Sequence, residues 1–112
     1  MAQYLVLIKS NAVKGREADY ERWYNDIHLP EILARDGFTG GQQFRVEEGH
    51  PEAGRFSHFV AMDLKTDDPE AALAALGEAF ASGDMTPTDT LDPEGEVEAL
   101  FYTPTGAWQK VD

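Results

Sequence analysis

The sequence predicts an α+β fold: one four-stranded antiparallel sheet with two helices on one face, in the order β-α-β-β-α-β, the split βαβ or ferredoxin-like arrangement. Three observations predict it. Two segments carry apolar residues at helical spacing, four carry strand-like apolar runs, and the two kinds alternate in that order. A length of 112 residues allows one domain, here residues 1–112, with a single core.

The first strand is Gln3–Lys9, where Tyr4, Val6 and Ile8 occupy one parity and Leu5 and Leu7 the other. Apolar residues on both parities imply burial on both faces. The first helix is Arg16–Arg35, with Tyr20, Trp23, Tyr24, Ile27 and His28 on one stripe, extended by Ile32 and Leu33. Pro30 has no N–H and its ring strikes the carbonyl four residues earlier, so a kink or break is expected near His28–Leu29. Gly37 follows the basic last turn as a stop.

The second strand is Phe38–Glu48, opened by Gly40-Gly41, a pair that permits a bulge or a close backbone approach. A Gly/Pro-rich turn leads to the third strand, Arg55–Lys65, so the two form a hairpin with a long loop. Asp68-Pro69-Glu70 opens the second helix with an acidic cap and proline at its first position. Leu73, Leu76, Ala79 and Phe80 are its buried stripe and Gly83 ends it. Asp84–Gly95 reads as an acidic loop without hydrophobic pattern, Glu96–Thr103 as the fourth strand, and the rest as a tail carrying Trp108 and Val111.

In this order the helices cover one sheet face, yet strands one, three and four are apolar on both. No element is left to cover the second face, so a homodimer packed sheet against sheet is expected.

Composition narrows the function. With no cysteine the chain has no disulfide, thiolate nucleophile or cysteine-held metal. Nine basic residues against 21 acidic ones speak against nucleic acid and anionic membrane surfaces. Tyr4–Ile8 is too short for a membrane span and lacks the flanks of a signal peptide, so the expected location is cytoplasmic. The acidity is concentrated: residues 63–98 hold eleven acids and one base. That stretch lies away in sequence from Trp23–His28, so the charge describes an outer surface and does not constrain the ligand.

The densest chemistry lies in Tyr20–Glu31. His28 falls about one turn after Tyr24, with Trp23 and Ile27 beside them. An imidazole facing a gap between helix and sheet suits general acid/base work, with Tyr24 orienting a substrate oxygen and Tyr20, Trp23 and Ile27 walling the space. The plainer alternative is a core histidine among packing aromatics. His58, between Phe56 and Val60, faces either the same space or the partner's sheet, and parity leaves both open. Arg45 either binds a substrate oxyanion or pairs with a nearby acid. His50 sits in a turn and reads as solvated. His28 and Glu31 share i, i+3 spacing, but no metal site is expected, because no denser ligand pattern accompanies them. Tyr102 and Trp108 read as sealing the dimer.

The motif Gly15-x-Glu17-x-x-Tyr20-x-x-Trp23-Tyr24-x-x-x-His28-Leu29-Pro30-Glu31, with Gly37-Phe38 and Gln43-Phe44-Arg45 after it, resembles EthD-like proteins of the dimeric α/β-barrel superfamily. The resemblance covers about the first 46 residues, and the element order extends it to the whole chain. It implies two ferredoxin-like protomers with facing sheets and a pocket in each between sheet and helices. It also implies cofactor-free dehydratase, isomerase, cyclase or monooxygenase chemistry on aromatic or polyketide-like compounds, with His28 as the family's helix histidine. A haem-degrading relative supplies a proximal histidine, and nothing in the sequence identifies one. The expectation is therefore an enzyme without cofactor that moves a proton α to a carbonyl of a small apolar or aromatic molecule. The alternative is a non-catalytic dimeric binding or accessory protein with an apolar pocket.

Overall fold

A computed structural model describes all residues, 1–112. The elements are β1 (Ala2–Ser10), α1 (Glu17–Trp23), a π-helical turn (Tyr24–His28), α2 (Leu29–Leu33), β2 (Phe38–Arg45), β3 (His58–Thr66), α3 (Pro69–Ser82) and β4 (Glu98–Tyr102). The four strands form one antiparallel sheet in the order β2-β3-β1-β4. This is the ferredoxin-like topology expected from the element order.

Register assigns the faces. Val6 pairs with Met62, Ile8 with Val60 and Ser10 with His58. This set points at the helices, where Val6, Val60, Met62 and Leu64 are buried against Tyr20, Trp23, Leu29, Ile32, Leu76 and Ala79. The other parity, Leu5, Leu7, Phe59 and Ala61, with Phe44, Leu100 and Tyr102 as cross-strand partners, lies on the outer face. No part of the chain packs closely over that face: Leu5, Phe44 and Tyr102 are 42%, 38% and 47% exposed. Phe44 and Phe59 stack there at 4.9 Å between ring centres. The tail after β4 runs past it, bounding an open concavity of about 860 Å3, and Trp108 stands 89% exposed in the tail.

The caps follow local chemistry. The Asp68 carboxylate accepts from the Ala71 N–H at 3.1 Å, Pro69 takes the first helical position, and Gly83 leaves α3 with φ of 86°. Register slips between Phe38 and Gly40, so the expected bulge is present. At Gly41 a Cβ would meet Met62 Cγ at 2.8 Å and Leu29 Cδ1 at 3.2 Å. Glycine there lets α2 settle onto the β2–β3 hairpin.

Three expectations change. The strands are shorter or shifted by a few residues at the hairpin, because the segment from Glu47 to Phe56 closes on itself in successive turns. Residues 84–95 are not merely a solvated loop. Met85 and Thr90 are buried, and Leu91 bridges to Ala12, with Val13 donating to the Thr90 carbonyl at 2.7 Å. The expected kink near His28–Leu29 is replaced by a continuous helix with one wide turn. The Leu29 N–H reaches the Tyr24 carbonyl, an i→i+5 bond, and His28 and Leu29 keep helical dihedrals. Pro30 cannot bond back to Asp26, and the wide turn absorbs the mismatch without bending the axis sharply.

Candidate functional site

The wide turn changes which residues face inward. At α-helical spacing, Ile27 would follow Trp23 on the stripe. One extra residue in the turn puts His28 there instead, and Ile27 is 39% exposed and does not reach the cavity. The buried stripe then resumes one position late, at Leu29 and Ile32. His28 consequently stacks on Trp23, five residues back, with ring centres 4.5 Å apart and planes 14° apart. Tyr24 and Phe80 meet its ring edge-on at 4.8 and 5.3 Å.

These rings wall a cavity of about 150 Å3 between the sheet and the helices that cover its inner face. Ile8 and Ser10 form its floor, and Tyr20, Trp23, Tyr24 and His28 one wall. Leu76 and Phe80 of α3 form the opposite wall, and Leu91 and Val97 lie at its margin. Of the sequence candidates, Tyr20, Trp23, Tyr24 and His28 are brought together here. Ile27, His58 and Arg45 are not.

The lining sets the electrostatics. No carboxylate, ammonium or guanidinium group borders the cavity. Burial lowers the His28 imidazole from 6.5 to about 4, only slightly opposed by Glu31, so the ring is neutral at pH 7. Burial raises the Tyr20 phenol to about 12 and the Tyr24 phenol further, so both keep their protons. Tyr20 Oη and Ser10 Oγ share a hydrogen bond of 2.5 Å. Trp23 Nε1 and His28 Nδ1 are buried with no partner in the chain. An unmet buried polar atom costs about 1–3 kcal/mol, and both of these lie beneath the surface that water reaches, within the wall and not open to the cavity.

Glu31 is committed elsewhere: its carboxylate accepts from the Thr86 N–H at 2.9 Å and the Thr86 hydroxyl at 2.7 Å, tying α2 to the 84–95 segment. This accounts for Glu31 by loop anchoring and leaves it out of any pairing with His28.

His58 is 1% exposed and faces the helices, which resolves its parity against the partner-sheet alternative. It lies behind Tyr20, whose ring meets it at 5.2 Å, and does not border the cavity. Its Nε2 is 2.8 Å from Glu21 Oε2 and its Nδ1 2.7 Å from the Ser57 hydroxyl, which also accepts from the Ala12 N–H at 2.9 Å. Arg45 donates to both Glu21 oxygens at 2.7 Å. The arginine thus takes the role of ion-pair partner, and beside it the Glu21 carboxyl falls to about 2. This row fastens β1, α1, β2 and β3 together at the sheet end nearest Ser10. Helix–strand spacing alone does not reveal it, because Glu21, Arg45 and Ser57 meet only once the sheet has formed.

The cavity residues missed in the sequence are Ser10, which reads as turn material, and Leu91, which sits in a stretch without periodicity. Ile8, Leu76 and Phe80 are visible there only as core positions.

No protein-family model matches the sequence, and no curated protein sequence matches it. Several solved structures share its fold. A DABB-family protein with a ferredoxin-like fold from Mesorhizobium loti aligns with a TM-score of 0.61 at 14% identity, covering 95% of this chain and all of that one. The heme-degrader MhuD from Mycobacterium tuberculosis, solved with two hemes in its active site, gives 0.63 at 15% identity over 95% of this chain and 99% of its own. HapK from Hahella chejuensis gives 0.54 at 15% identity over 97% and 99%. At such identities the likeness establishes the ferredoxin-like fold alone and says nothing of the finer EthD-like resemblance.

Proposed function

We propose that this chain is an EthD-like protein of the dimeric α/β-barrel superfamily that transfers a proton within a small aromatic or polyketide-like carbonyl compound, with His28 as the base. The observation that carries this reading is the neutral, half-buried His28 ring in the wall of an apolar cavity. A neutral imidazole is the proton-accepting form. As the proton leaves the carbon α to the carbonyl, the C–H electron pair becomes the enolate double bond and charge moves to oxygen. Protonated donors must meet that charge where it develops. The Tyr24 phenol, kept protonated by burial, is the donor in this wall. Return of the proton to another carbon is isomerisation; loss of a leaving group from the enolate is elimination. Tyr20 walls the space.

Heme, which the MhuD structure holds, does not fit: a four-pyrrole macrocycle is several times larger than a cavity of about 150 Å3. No step is assigned to it.

The same reading includes a homodimer. The apolar outer face of the sheet, with Leu5, Leu7, Phe44, Phe59, Leu100 and Tyr102, is supported as the interface by its exposure and by Trp108 beside it.

The test is hydrogen–deuterium exchange at the α carbon of cyclohex-2-enone and 4-hydroxyacetophenone in D2O. Wild type should accelerate exchange, and His28→Gln, checked for unchanged thermal unfolding at pH 7, should lose at least about 100-fold of that acceleration. A folded His28→Gln protein that exchanges as fast as wild type removes His28 from the role. Binding without exchange in wild type favours the non-catalytic binding protein.

A further inference from the structure

Resting on the reading of this cavity as the ligand site, we propose that its ligand is an uncharged single-ring compound whose oxygen substituent is held by the Ser10–Tyr20 hydroxyl pair, with Ser10 as a specificity-determining residue. Three independent observations lead there.

The first is size. A cavity of about 150 Å3 matches one benzene ring, and this one is about 150 Å3 and opens at its margin beside Val97, which is 56% exposed. A fused polycyclic compound would leave its second ring outside that margin. The walls are packed rings and the sheet itself: Trp23, Tyr24 and Phe80 on the helices and Ile8 on the central strand β1.

The second is charge. With no charged group on the lining, an ionised carboxylate or ammonium would enter without a counter-ion and bear its full desolvation cost.

The third is hydrogen-bond accounting. Ser10 and Tyr20 carry two hydroxyl hydrogens, and the bond between them uses one. Neither hydroxyl has another side-chain or backbone partner, so whichever of the two donates, one O–H hydrogen is left over. Both residues line the cavity and both are buried, at 5% and 1% exposure. The spare hydrogen has no acceptor among the hydrogen bonds the two hydroxyls make, and a ligand oxygen in the cavity would supply one. Ser10 is further constrained: it ends β1 opposite His58, and its carbonyl accepts from the Ser57 N–H at 3.1 Å. The hydroxyl pair is thus fixed on the rigid end of the sheet, at the opposite side of the lining from α3.

Binding is read by two-dimensional NMR of the Trp23 indole N–H and the Ser10 amide, titrating full-length protein with benzene, phenol, cyclohex-2-enone, benzoate and 2-naphthol at pH 7. The expected result is saturable shifts with the two oxygenated single-ring compounds and the absence of saturation with benzoate and 2-naphthol. Ser10→Ala combined with Tyr20→Phe, which removes both hydroxyl hydrogens, should weaken phenol and cyclohex-2-enone about three- to tenfold, the loss of one neutral hydrogen bond, and leave benzene unchanged. Ser10→Ala and Tyr20→Phe singly each leave one hydroxyl without its partner, and each should weaken the oxygenated ligands less, still relative to benzene. They serve in place of the double variant if that protein unfolds. Equal or tighter binding of benzoate or 2-naphthol, failure of every single-ring compound to shift either signal, or equal loss of benzene and phenol in the folded variants overturns the proposal. The outcome is separable from that of the base assignment. Single-ring binding without α-carbon exchange leaves this inference standing and the proton-transfer reading fallen; His28-dependent exchange on a two-ring ketone does the reverse.

Discussion

His28 is the residue on which chemistry and stability meet. Its ring titrates near 4 in the fold against an ordinary 6.5, because burial penalises the imidazolium. Between those values the unfolded chain binds the proton and the folded chain does not, so stability must rise with pH from about 4 to 6.5 and level off above. The full swing is of the order of 3 kcal/mol. Glu21 acts lower: held near 2 by Arg45 and then His58, it stabilises the fold above its ordinary 4.5, and that contribution fades as pH falls toward 2. The window from 4.5 to 6.5 therefore isolates His28 from Glu21. Urea midpoints at pH 4.5, 5.5 and 7 should climb in wild type, and the climb should flatten in His28→Gln. Parallel curves for the two proteins would mean that the His28 ring is not desolvated in the fold. The same titration predicts a base-limited reaction rate that is flat from pH 6 to 8 and falls only as pH approaches 4.

At the scale of elements, the wide turn at Tyr24–His28 decides the site. The buried positions read Tyr20, Trp23, Tyr24, then Leu29 and Ile32, one residue late for an α-helix. Such a slip is what a single inserted residue leaves in a helix whose two ends are already anchored in a core. Asp26 is exposed in that turn and makes no side-chain hydrogen bond. Deleting Asp26 should return the helix to regular spacing with Leu29 and Ile32 still seated, so the protein should fold with its thermal midpoint kept or raised. His28 would then stand four residues after Trp23, the α-helical position on the same stripe, so the response of the Trp23 indole signal to phenol should be kept. A deletion variant that unfolds would show that the wide turn is needed for the fold itself; one that folds without binding phenol would show that the site needs the wide turn and not only the stripe.

At the scale of the molecule, the sheet has two unlike faces. The inner face is covered by α1, α2 and α3, while the outer face presents Leu5, Phe44, Phe59 and Tyr102 with no element packed closely over them. Exposed apolar area is costly in water, and the proposed dimer would relieve it by packing a second sheet there. Sedimentation equilibrium at micromolar concentration should give twice the chain mass, and Phe59→Glu, which sets a carboxylate against Phe44 on that face, should give monomers. A monomeric wild type at those concentrations would overturn the dimer. No helix is long and apolar enough to cross a membrane.

The topology was legible because it rests on local periodicity. The apolar runs, the Asp68-Pro69 cap, the glycine stops and the Gly40-Gly41 bulge each state a local preference, and all agree with one element order. The cluster of Tyr20, Trp23, Tyr24 and His28 was legible for the same reason, since it lies on one helix. What periodicity misjudged is the inward place of Ile27, because an α-helical repeat carries no information about an i→i+5 turn. What it left undecided is His58 and Arg45, whose roles depend on Glu21 across 37 and 24 residues of chain. Ser10 and Leu91 entered the site only through β-pairing and a long loop closing on Ala12. Sequence by itself determined the fold and the aromatic helix face; tertiary structure alone chose which side chains meet across it, because those contacts are non-local and form only when the sheet and the helices pack.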